Sequence, residues 1–147
     1  MKKTFLLIIG LAIFSIIGIA QEYKVVTIVE SIVPMGMGRS RIIENTSEIS
    51  AAALTTERTD GKKSNQRDVK RDEVKVDAFK ETKLLNFYSA VGINFQNIAS
   101  NDAVITSKIN ELAAEGWKLT YVTSAVESDA GKQDGAGIFI TRLFFTK

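Results

Sequence analysis

Cysteine and histidine are both missing from this sequence. Their absence removes the thiolate nucleophile, the imidazole general base and the usual ligand sets for zinc and copper. Disulfides are excluded as well, so any folded domain is held by packing and hydrogen bonds alone. A lipid-modified N-terminal cysteine is excluded for the same reason. Carboxylates, lysine, arginine, serine and tyrosine remain, and they form no visible catalytic constellation. Glu127, Asp129 and Asp134 share one polar stretch, but their spacing fits no calcium-loop pattern and reads as loop solvation. The sequence therefore predicts no enzyme, no cofactor and no metal.

Proline is nearly absent too, with one residue, and the basic balance of the chain is only apparent. Lys2 and Lys3 precede an apolar run from Phe5 to Ala20 that is broken only by Gly10, Ser15 and Gly18. Gly18 and Ala20 suit a signal-peptidase site, which predicts a signal peptide over 1–20 with cleavage before Gln21. The alternative is an uncleaved membrane anchor. Cleavage leaves 127 residues with 17 basic and 17 acidic side chains, so the sequence pI of 8.8 is mostly the leader's. A neutral chain of that length predicts one exported domain, periplasmic or secreted. It gives no argument for nucleic acid, and places the membrane only in export.

The strongest local signal spans residues 109–124. Ile105, Ile109, Leu112 and Ala113 share one face of a helical period, while Lys108, Glu111 and Glu115 point elsewhere. Ser100, Asn101 or Asp102 is the expected N-cap. Gly116 stands where the chain leaves the helix, since glycine takes the left-handed conformation without a Cβ clash. Trp117, Leu119 and Tyr121 then alternate with Lys118 and Thr120, as in a strand with one buried face. Ile109, Leu112, Gly116, Trp117, Leu119 and Tyr121 are thus the expected structural residues.

Upstream, 22–33 is rich in β-branched residues on both faces and predicts a central strand or a sheet covered on both sides. Pro34, Gly36 and Gly38 force a turn, and Arg39–Glu44 follows as a short returning strand. Between Glu57 and Lys83, sixteen of twenty-seven residues are charged, nine basic and seven acidic. Such a stretch buries too little to offset its ordering entropy. It predicts a charged insertion over 45–83, mobile over 45–68 and an exposed helix over 69–83. Leu84–Ile98 is apolar again, and is expected to cover the sheet face that the helix leaves open or to mediate self-association. A polar, glycine-bearing stretch from Glu127 to Gly137 reads as a hairpin loop, and Ile138–Thr146 as a last strand antiparallel to the Trp117 strand.

Three pieces, Glu22-Tyr-Lys-Val-Val, Ile109-Asn-Glu-Leu-Ala-Ala-Glu-Gly-Trp-Lys-Leu and the Phe-rich Ile138–Lys147, together resemble the family termed domain of unknown function 4177. They cover 26 of the 127 residues that follow the expected cleavage site, about a fifth. The resemblance implies a β-α-β-β module, three antiparallel strands with one helix, and supplies no catalytic residues. The long segment 34–100 departs from that compact pattern. The expected class is therefore α+β, with a three- to four-stranded antiparallel sheet, one main helix and a charged insertion after the first strand.

One loop invites a ligand. Gly36-Met-Gly-Arg-Ser-Arg offers backbone N–H groups with Arg39, Ser40 and Arg41 beside them, as an anion site would. It lacks the Gly-Lys-Ser/Thr ending of a phosphate loop, and a tight turn with exposed arginines is the favoured reading. The leading expectation is an exported, non-enzymatic module that binds a protein partner or itself. The alternatives are an anion-binding or hydrolytic protein built on that loop and a membrane-tethered domain.

Overall fold

Backbone pairing, not helix, dominates the chain. The computed structural model describes residues 21–32, 40–89, 91–127 and 137–147. The expected leader, the Gly36–Arg39 part of the glycine–arginine loop, and Asp129 and Asp134 lie outside the described residues. Strand β1 spans Tyr23–Ser31 and β2 spans Arg41–Asn45. After a single helical turn, α1 (Arg71–Val74), come β3 (Phe79–Lys83) and the two-residue strands β4 (Tyr88–Ser89) and β5 (Gly92–Ile93). The long helix α2 (Phe95–Ala114) leads into β6 (Lys118–Glu127) and β7 (Ile138–Thr146).

The class is α+β, as expected: one main helix lies against an antiparallel sheet. The order is β3-β2-β1-β7-β6, so the sheet has five strands, more than the sequence predicted. β1 is central, which explains why both of its faces carry apolar groups. β1, α2, β6 and β7 supply the β-α-β-β order, and β2 and β3 extend the sheet beyond β1. The additional strand is β3, which lies where an exposed helix was expected over 69–83. Only Arg71–Val74 is helical there. The open edge of β2 offers Phe79–Lys83 five successive partners, and that pairing overrides weak local helix propensity.

One face of the sheet holds the core. Val26 and Ile28 of β1, Ile42 of β2, and Leu143 and Phe145 of β7 are buried with Leu84 and Leu112. Val104, Ile105 and Ile109 of α2 pack onto them with Trp117 and Leu119. The same layer contains an ion pair: Lys108 Nζ lies 2.8 Å from a Glu44 carboxylate oxygen, each side chain only 11% exposed. Burial opposes the Lys108 charge, but its hydrogen bonds to Glu44 and Glu111 prevail and hold its pKa above the ordinary lysine value.

The helix begins earlier than the sequence suggested. Asn94, not Ser100–Asp102, is the N-cap, and its side chain accepts from the Gln96 and Asn97 N–H groups at 3.0 and 3.2 Å. Asn101 reads as a cap residue but sits on the buried face of the helix, 1% exposed. Of the two expectations for Leu84–Ile98, the covering of the open sheet face is not met, while Leu85, Val91, Ile93 and Phe95 are exposed. Its first residues pack on the helix side of the sheet, with Leu84 in the core and the Phe87 ring 6.0 Å from that of Phe139.

Tyr121 differs for a geometric reason. Leu119 pairs with Phe145 while Tyr121 pairs with Phe144, so Thr120 is an extra residue in the strand. This bulge shifts the alternation by one position and turns Tyr121 onto the opposite face, 62% exposed.

The helix exit follows the expected glycine stop. Gly116 has φ +90°, its N–H bonds Ala113 O at 3.0 Å, and Trp117 N–H bonds Leu112 O at 2.9 Å. These are the two reverse bonds of a Schellman motif, with Trp117 and Leu112 as its apolar pair. The Trp117 ring is flanked by Lys24 and Lys147 ammonium groups, 4.8 and 5.7 Å from its centroid. A Cβ at Gly116 would meet only the Lys147 side chain, at 3.5 Å, so the backbone sets the cost of replacing it. Gly116→Ala is expected to lower unfolding stability by about 1–2 kcal/mol, measured by urea denaturation. An unchanged midpoint would contradict the motif's role.

Candidate functional site

Strand alternation separates two residues of the expected anion loop. Ser40 shares the inward phase of Ile42 and Glu44, and Arg41 shares the outward phase of Ile43. Ser40 is buried; its hydroxyl donates to Asn86 Oδ1 at 2.8 Å and accepts from Ser31 N–H at 2.9 Å. Arg41 is ion-paired with Glu81 of β3 on the open face, beside Lys83 in a shallow depression. Ser40 also lines that depression, although its hydroxyl is engaged by Asn86 and Ser31, and Arg39 lies outside the described residues.

Sequence reasoning missed an amide cluster at the N-terminal half of α2. Asn101 Nδ2 donates to Leu85 O at 2.8 Å and to Glu30 Oε1 at 3.0 Å, while its Oδ1 accepts from Leu85 N–H at 2.8 Å. One helix turn earlier, Asn97 Nδ2 donates to Asn86 O at 2.8 Å. Asparagines spaced by four on a helix were the available signal, and capping preference obscured it. Among the described residues, no buried side-chain nitrogen or oxygen lacks a hydrogen-bond partner. The cluster is thus satisfied internally and offers no waiting donor or acceptor to a substrate. Burial raises the pKa of Glu30, the Asn101 bond lowers it, and the Asp102 charge adds to the rise; the net direction is upward.

The remaining surface is the sheet itself. Its outward face carries Val25 and Tyr121, 40% and 62% exposed, with the Tyr121 ring tilted against Phe144 at 5.7 Å. The long helix α2 packs on the other face. The two edges differ sharply. β3 reads Phe-Lys-Glu-Thr-Lys, three charges in five residues, the composition that discourages strand addition. β6 reads Lys-Leu-Thr-Tyr-Val-Thr-Ser-Ala-Val-Glu, with charges only at its two ends. On the inward side, Val122 and Val126 are 48% and 57% exposed because α2 reaches only the start of this strand. No described residue pairs with the outer edge of β6.

Comparison with protein-family models, curated proteins and solved structures finds no match to this chain. Among the described residues, no group of carboxylates has a metal-holding arrangement, and no helix is long and apolar enough to cross a membrane.

The Glu30 environment generates a pH test. A carboxyl whose pKa rises on folding holds its proton more tightly in the folded state. Its favourable contribution is complete at acid pH and is lost as pH rises through the folded value. Glu30→Gln keeps an acceptor for Asn101 and removes the half-buried charge. It is expected to stabilise the protein near neutral pH, with the gain vanishing below the ordinary glutamate value of 4.5. Thermal melts across that range check it; a constant difference at every pH would contradict the assignment.

Proposed function

We propose that this protein is an exported, non-enzymatic binding or assembly module that works through strand β6 and the adjoining sheet face. The observation that carries the reading is β6 itself: a ten-residue edge strand with its charges only at the ends and apolar side chains exposed on both faces. Main-chain donors and acceptors along such an edge are a template for another strand. The absence of histidine and cysteine, and the internal satisfaction of the amide cluster, support a binding role over catalysis. The leader-like Lys2–Ala20 segment supports export, to the periplasm or beyond the cell. Neutral charge after cleavage favours a protein surface as partner over nucleic acid.

A photoreactive amino acid at Val122, introduced in the producing cells, tests this reading. Adducts of increased mass are expected from Val122 and not from the control position Asn110, an exposed residue of α2. Equal yields from both positions, or none from Val122, would contradict a binding role for β6.

A further inference from the structure

We infer that the occupant of the β6 edge is a second copy of this chain, paired antiparallel about a two-fold axis through Ser124. This deepens the reading above and rests on it. The regular part of β6 after the Thr120 bulge is Tyr121–Glu127, and its midpoint is Ser124. A two-fold axis normal to the sheet at that residue keeps inward side chains inward in both copies. It sets Val122 opposite Val126 of the second copy, twice, and Thr123 opposite Ala125, twice. Ser124 meets its own equivalent on the axis, where its small hydroxyl is already held by Thr141 Oγ1 at 2.9 Å.

Charge selects this arrangement. Lys118 stands outward at one end of β6 and Glu127 outward at the other, paired with Thr146 and Ile138 of β7. Antiparallel self-pairing brings Lys118 of each copy diagonally near Glu127 of the other, within reach of a lysine chain. Parallel pairing would set like charges together. Val122 and Val126, which α2 leaves exposed, then cover each other across the junction. Because β3 is guarded by charge, growth stops at two copies, as a single ten-stranded sheet.

The test is register-specific. Val122→Lys and Val126→Glu each place a charge opposite valine and are expected to weaken dimerisation by about tenfold, since every change acts at two symmetric pairs. The double variant sets lysine opposite glutamate at both pairs and is expected to recover most of the loss. Protein purified from the producing cells is measured by light scattering over a concentration series, with circular dichroism confirming the fold of each variant. A monomeric wild type, a dimer indifferent to both single changes, or a double variant that recovers nothing would each overturn the proposal. The cross-linking result separates the two readings. A Val122 adduct with a different protein, beside a monomeric wild type, defeats self-pairing and leaves the binding role standing.

Discussion

A single helix cannot cover a five-stranded sheet, and much of this structure follows from that mismatch. The twenty residues of α2 make a rod roughly 30 Å long and about 10 Å across. Five strands spaced about 4.8 Å apart span roughly 20 Å. The helix therefore buries a strip over β2, β1 and β7, where the core lies, and leaves most of β6 and the whole opposite face to other contacts. Disulfides are unavailable to compensate, so the strip must be well anchored.

Two polar devices anchor it. At one end Asn101 ties α2 to both backbone groups of Leu85 and to Glu30 of β1. Further along, Lys108 meets Glu44 of β2 in the same layer. Neither contact favours folding as strongly as apolar packing of equal size, but each is costly to satisfy in a different register. They fix where the helix lies along the sheet. The Schellman turn then directs Trp117 back onto Leu112 and launches β6 at the margin of the covered strip. β6 is an edge strand because the helix that precedes it ends at that margin.

How much of this was legible in the sequence depends on whether local chemistry decided the outcome. The Gly116 stop, the central position of β1, the Leu112 face and the closing β6–β7 hairpin all follow from period, propensity and one glycine. The failures have a common cause, which is long-range pairing. Phe79–Lys83 became a strand because β2 offered an edge, which no charge count could reveal. Asn101 was misread as a cap because its partners are at Leu85 and Glu30, distant in sequence. Tyr121 changed faces through one bulged residue, invisible to an alternation rule. For the candidate site, Ser40 and Arg41 line one depression, but the Ser40 hydroxyl is taken up by Asn86 and Ser31, partners that only the folded chain brings near. The β6 edge was present in the sequence as a strand, but its exposure was not, since that depends on strand order.

Self-pairing would complete β6 with the same strand of a second copy along its outer edge. Amide hydrogen exchange reads that pairing residue by residue, because alternate N–H groups of an edge strand point toward β7 and away from it. One alternate set within Tyr121–Glu127 is expected to be slow at every protein concentration. The other set should slow progressively as concentration rises. If the outward set exchanges rapidly at all concentrations while the inward set stays slow, β6 remains a free edge in the isolated protein and self-pairing is contradicted.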